Sequence, residues 1–143
     1  MSLRMPALDP RTLASRASIV AAMRDIVQGE GVIDQADELA PYESDALTAY
    51  AQRPLLVVLP ETTEQICAVL RWCNEHGVRV VPRGAGTSLS GGALPSEDGI
   101  VLALSRLRRI LEIDYDNRIA VVQPGVTNLA VSQAVADKAV LGR

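Results

Sequence analysis

The sequence predicts an α+β fold, a small parallel β-α-β subdomain followed by the start of a second, antiparallel subdomain. Three observations point there. Leu55-Leu56-Val57-Val58-Leu59 is an unbroken apolar run, the form of a strand buried on both faces. A helical pattern and a second strand, Val78-Arg79-Val80-Val81, follow it directly. Residues 110–115 and 119–123 then flank the turn Asp116-Asn117 as a hairpin.

The chain has 143 residues, 48% hydrophobic and 22% charged, enough for one domain with its own core. Aromatic residues make up 3% with no Phe, so that core must be aliphatic. A net charge of −3 gives no electrostatic footprint for nucleic acid. Arg106, Arg108 and Arg109 read as a solvated rim. Cys67 and Cys73, with a single His, make neither a zinc pattern nor a disulfide framework, and both read as small buried hydrophobes. No apolar run is long enough to span a bilayer and no secretory signal is evident, so a cytoplasmic location is expected.

Residues 1–10 read as a loose leader. Leu13, Ala17, Val20, Ala21 and Ile26 suggest one helix over 11–28, ended by Gly29 and Gly31. Val32 and Ile33 form a short extended piece. Residues 37–53 have no clean period and are neither Gly/Ser-rich nor highly charged, which predicts an ordered connector laid over the domain. Residues 1–53 are thus a helical lead-in, and 54–143 the main domain.

Pro60 stops the first strand. Thr62 and Gln65 have capping-box spacing, and Ile66, Val69, Leu70 and Cys73 make one helical stripe that Gly77 ends. The following strand should run parallel to the first through a right-handed crossover. Residues 100–104 are a further strand. After the hairpin, Pro124-Gly125 turns the chain, and Thr127 or Asn128 caps a last helix to about Lys138.

The second strand of the β-α-β unit opens into Pro82-Arg83-Gly84-Ala85-Gly86-Thr87-Ser88-Leu89-Ser90-Gly91-Gly92, with four glycines, three hydroxyl residues and no acid. Glycines let the backbone approach a ligand, and successive N–H groups can form an anion-binding nest. The place, beyond the carboxyl end of a parallel strand, is where open α/β sheets bind ligands. A P-loop is excluded because Gly92 stands where its Lys belongs, and the Rossmann fingerprint because Leu89 takes the third Gly position. A glycine-rich surface turn that binds nothing is the competing reading.

This loop closely resembles the pyrophosphate loop of the vanillyl-alcohol-oxidase-like, PCMH-type FAD-binding family. Pro54 and Pro60-Glu61-Thr62-Thr63-Glu64-Gln65 are similar to that family's entry strand and helix, and Val122-Gln123-Pro124-Gly125-Val126 to its second flavin-contacting element. Pro41-Tyr42-Glu43-Ser44-Asp45 resembles the lead-in of the branch holding glycolate oxidase FAD-linked subunits and D-lactate dehydrogenases. The resemblance runs from about Ala40 to about Ala136, and residues 138–143 look less like the family.

The resemblance implies that the backbone of residues 83–90 holds the FAD pyrophosphate. Gly91 and Gly92 would lie beside the flavin, and Pro124-Gly125 would line the cofactor groove. Attachment would be non-covalent, since the loop has no His; His76 is expected to interact with its own helix end. The implied activity is oxidation of a 2-hydroxy acid such as glycolate or D-lactate. The substrate domain would lie beyond Arg143, leaving the fragment alone inactive. Glu43, Asp45 and Asp116 lack a partner cluster and read as solvated or capping residues, so no catalytic residue is expected here. The alternatives are a non-catalytic FAD- or partner-binding module of a multi-subunit oxidase, or an inactive remnant. An isolated hairpin with open edges also implies self-association.

Overall fold

A computed structural model describes residues 7–139. Asp9 caps the first helix, α1 (Pro10–Ala14), its carboxylate accepting from the Arg11 N–H. The single helix expected over 11–28 is two. Ser15 steps out of helical conformation at φ −90°, ψ 8°, and α2 (Arg16–Ile26) follows. The break lies beside Arg16, whose guanidinium donates to the carbonyls of Leu55 and Asp34. Nor is the leader loose where it is described. The Asp9 N–H donates to Asp98, and Arg79 donates to the Ala7 carbonyl.

Four strands form the main sheet: β1 (Val32–Ile33), β2 (Leu56–Val58), β3 (Arg79–Arg83) and β4 (Gly99–Ala103). Their order is β1-β2-β4-β3. β2 and β3 are both parallel to β4, while β1 is antiparallel to β2. The β-α-β unit is therefore parallel as expected, but β4 sits between its two strands. Every residue of β2 and β4 is buried, whereas β3 lies at the edge. An edge tolerates Pro82, which has no N–H to give to a ladder.

Alternation explains the unbroken apolar runs. Leu56, Val58, Ile100 and Leu102 face Ile19, Val20 and Met23 of α2 and Val69 and Cys73 of α3 (Thr63–His76). Val57, Leu59, Val101 and Ala103 face Leu39, Ile33 and Tyr42 on the other side. The connector thus supplies the second cover of the sheet, through a 3₁₀ turn over Ala40–Tyr42. Each fully buried aliphatic side chain contributes about 1.5–3 kcal/mol, so both covers are needed.

The α3 cap forms with one change of partner. Thr62 Oγ1 accepts from the Gln65 N–H at 3.2 Å, but Gln65 Oε1 takes the Glu61 N–H at 2.7 Å. Gly77 ends the helix at φ 67°. Two residues depart from expectation: Leu70 of the stripe and Cys67, read as a small buried hydrophobe, are both exposed, while Trp72 packs against the core in part. Cys73 is buried as expected, and burial pushes its thiol pKa up to about 11. His76 stacks on Trp72 with ring centroids 4.0 Å apart, its Nδ1 2.8 Å from the Trp72 carbonyl oxygen, as its place at the helix end implied.

β5 (Ile110–Asp114) and β6 (Ile119–Val122) form a separate two-stranded antiparallel sheet with a bulge near Leu111. Asp114 closes its turn by accepting from the Asn117 N–H and side-chain amide, which lowers the Asp114 pKa. Thr127 caps α4 (Asn128–Ala139), accepting from the Ala130 N–H. Arg106 is no rim residue. It pairs with Glu61 at 2.9 Å and donates to the Glu30 carbonyl, while Arg108 and Arg109 are exposed. The expected tail over 138–143 lies mostly outside the described residues.

Asp98, 1% exposed, fastens the N-terminal segment to the sheet. Burial alone would raise its pKa, but bonds from Ser96 and the Asp9 N–H, with the Arg79 charge at 3.0 Å, lower it overall. A depressed folded-state pKa stabilises above the unfolded value of about 3.9 and loses that effect as pH falls through the folded value. Asp98→Asn is expected to cost about 2 kcal/mol at neutral pH, and the gap to the unaltered chain should begin to close below about pH 4 and narrow further as pH falls through the depressed folded value. Urea melts at pH 7 and pH 3 measure both; an equal gap at the two values would refute this role.

Candidate functional site

The carboxyl ends of β3 and β4 carry two loops that backbone hydrogen bonds bind into one edge. The Leu104 N–H donates to the Arg83 carbonyl at 2.9 Å, Leu107 to Leu104 at 3.1 Å, and Gly125 to Leu107 at 2.8 Å. The Pro124-Gly125 turn is thereby fastened to the strand end from which the glycine-rich loop departs. The structure brings together the two segments that the sequence singled out separately.

Pro82 and Arg83 belong to β3, so the loop proper begins at Gly84. Among the described residues, the N–H groups of residues 84–89 have no hydrogen-bond acceptor. Six successive donors, with no acid within the loop, suit an anion. Gly84 and Gly91 have nothing within 4 Å of an added Cβ, so the face they present is open. Ser88 shapes the rest of the loop. Its Oγ accepts from the N–H groups of Ser90 and Gly92 at 3.3 and 3.2 Å, which uses its lone pairs and leaves its proton to donate. Gly91 sits at φ 74°, and its carbonyl accepts from Leu94. Leu89 is 74% exposed and supports nothing within the chain.

Beneath the loop lies Arg83, 8% exposed. Its guanidinium donates to the carbonyls of Ser44 at 2.8 Å, Pro41 at 3.3 Å and Ala93 at 3.4 Å, and sits 5.6 Å from the centroid of the Tyr42 ring. Gly86, at φ 72°, closes over it: an added Cβ would fall 2.2 Å from Nη2. Asp45, 5% exposed, completes the wall by accepting from the N–H groups of Leu47 and Ala93. The 41–45 segment is thus the seat of the loop. Reading the sequence for backbone donors alone missed the Arg83 side chain. Its signal was an Arg at a strand end, next to glycines and far from any acid.

Gly125 has a packing reason of its own, since a Cβ there would lie 2.6 Å from the Leu104 carbonyl oxygen and 2.7 Å from that of Leu107. Pro124 beside it is exposed.

Two clefts lie elsewhere. One of about 470 Å³ includes Arg16, Asp34, Leu39, Arg53 and Pro54, and one of about 270 Å³ includes Thr12, Ser18, Trp72 and His76. Their polar groups are largely engaged: Arg16 with carbonyls, Arg53 with Glu43, and Asp34 with Arg24. Neither offers a run of open donors. Among the described residues no group of three or more His, Cys, Asp or Glu could hold a metal, and no helix is long and apolar enough to cross a membrane. Of the three acids expected to be solvated or capping, Glu43 instead pairs with Arg53, Asp45 caps but is buried, and Asp116 lies exposed in the hairpin turn.

Comparison with known proteins bears on this edge. Residues 54–143 match the family described as FAD binding domain. Glycolate oxidase subunit GlcD of Escherichia coli strain K12 is 53% identical over 121 residues, which cover 85% of this chain and 24% of that protein. A D-lactate dehydrogenase of Archaeoglobus fulgidus is 46% identical over 77 residues, 54% of this chain and 17% of the relative. The chain therefore spans about a quarter or less of these curated relatives. Among solved structures, p-cresol methylhydroxylase superposes with a TM-score of 0.78 at 24% identity, over 93% of this chain and 26% of that one. This last likeness is one of fold.

Proposed function

The chain belongs to the FAD binding domain family, and from that premise we propose that the edge formed by residues 84–92 and the 123–126 turn is its FAD site, within a flavin-dependent oxidase or dehydrogenase of 2-hydroxy acids. The observation that carries this reading is the run of six N–H groups without a protein acceptor, in a loop with no acid. The backbone of residues 84–89 holds the pyrophosphate, Gly91 and Gly92 leave room for the flavin, and Pro124 faces the groove. Bound FAD supplies the hydride-accepting chemistry, and the chain's own residues bind and orient it.

Glycolate and D-lactate are the substrates we favour, from the names of the two relatives. Attachment is non-covalent: residues 82–92 contain no His, and His76 is occupied with Trp72. Residues 1–53 act as a lead-in whose α2 and connector cover the two sheet faces, and 54–143 as the cofactor domain. One observation favours a second reading, a non-catalytic FAD- or partner-binding module. Glu43 and Asp45 are spent on structure, so the described residues offer no general base at the site.

A visible spectrum of the purified chain, before and after excess FAD and desalting, tests the site. Flavin bands are expected to remain with the protein. A colourless protein would refute FAD binding by this chain. Turnover of glycolate or D-lactate by that holoprotein separates the two readings.

The hairpin carries Leu111, Ile119 and Val121 exposed at 56%, 55% and 44%, with free strand edges. We infer association there, with further copies of this chain or with other oxidase subunits. Light scattering over a concentration series should show a rising mass; a monomer throughout would rule out self-association.

A further inference from the structure

The Arg83 guanidinium is a buried charge with no carboxylate partner. Among the described residues the ion pairs are Arg11–Asp9, Arg24–Asp34, Arg53–Glu43, Arg79–Asp98 and Arg106–Glu61, and Arg83 is in none of them. Neither acid of the adjoining segment makes an ion-pair contact with it, although buried Asp45 shares Ala93 with it. Glu43 pairs with Arg53, and Asp45 accepts from two backbone N–H groups. Three carbonyl oxygens and the Tyr42 ring satisfy the donors of Arg83 but do not neutralise it. A buried charge is ordinarily matched by an opposite one, because leaving it unmatched is costly.

Its position suggests where the match comes from. Gly86 is the one loop glycine whose added Cβ would strike the guanidinium, so the cation lies directly under the loop backbone. Among the described residues, the N–H groups of residues 84–89 in that loop have no protein acceptor. We propose that Arg83 is a positioning cation of the cofactor site: its charge acts through the loop on a pyrophosphate held by residues 84–89, and that anion adds a contact-free opposite charge to the one buried Asp45 carries in the same wall. Arg83 does not touch the ligand. This inference rests on the FAD reading of the loop and adds to it a side chain that lies beneath, rather than within, the binding surface.

The test compares the unaltered chain with Arg83→Gln and Arg83→Lys, using FAD and inorganic pyrophosphate as separate probes by calorimetry. Arg83→Gln keeps donors and loses charge, so both ligands should bind about tenfold or more weakly. Arg83→Lys keeps charge but lacks the planar fork, so it should bind both within about threefold of the unaltered chain, with a lower melting temperature. Equal weakening by Gln and Lys would show that the fork's geometry matters and not its charge, overturning the proposal. FAD binding unchanged in Arg83→Gln would overturn it while leaving the FAD site in place. If the unaltered chain binds neither probe, the site reading fails first and the proposal with it. Should Arg83→Gln not fold, the NMR signal of the Arg83 Nε–H in the unaltered chain decides. It is expected to shift as pyrophosphate is added, and a signal that stays still refutes the inference.

Discussion

Gly84→Val is expected to abolish retention of FAD while leaving the chain as stable as before. An added Cβ at Gly84 meets nothing within 4 Å, and its φ lies outside the left-handed region, so the first atom of the new side chain strains nothing in the protein. The melting temperature should stay within about 3 °C. The new branched side chain would instead stand on the open face of the loop, where a pyrophosphate must approach backbone N–H groups closely. FAD affinity should fall about a hundredfold or more, since each tenfold corresponds to only about 1.4 kcal/mol and a direct clash exceeds that. Flavin fluorescence titration and differential scanning calorimetry together decide. Affinity unchanged in a stable Gly84→Val would remove the loop from the cofactor site.

Gly125→Ala is expected to do the reverse, damaging the fold whether or not FAD is present. Its Cβ would sit 2.6 and 2.7 Å from two backbone carbonyl oxygens, which cannot swing aside as a flexible side chain could. Either the 104–107 turn or the 123–126 turn must move, and the Gly125 N–H to Leu107 bond goes with it. Overpacking of this kind costs about 1–3 kcal/mol. Hydrogen exchange should localise the damage, with faster exchange at Gly125 and across β5 and β6 but not in β2 or β4. An unaltered exchange pattern would mean that the turn does not seat on Leu104 and Leu107 as described.

These two glycines show what a sequence can and cannot convey. Both were singled out as cofactor residues, yet Gly84 is open to solvent while Gly125 is packed on carbonyls. Composition reports that a backbone is bare, not which side of it is crowded. Local grammar was legible elsewhere. Apolar runs, the Thr62 cap, Gly77 and the Asp116-Asn117 turn each act within a few residues of themselves. The insertion of β4 between β2 and β3 was not legible, because strand neighbours depend on contacts distant in sequence. The break at Ser15 and the exposure of Leu70 escaped for a related reason: helical periodicity marks a stripe but not how wide a neighbour covers it. Arg83 escaped because two of its three carbonyl partners lie about forty residues earlier.

The strand order also has a consequence in time. β2 and β3 each keep an open central edge until β4 arrives between them, and Val58 and Ala103 are 45 residues apart in the chain. At a synthesis rate of about 5–20 residues per second, that interval is roughly 2–9 seconds. During it the nascent polypeptide can pair β2 only with β1, and the edge of Leu56, Val57 and Val58 that β4 will occupy stays open. Synthesis of residues 59–99 is thus an interval in which one edge of β2 stays open, and slower translation there would lengthen it.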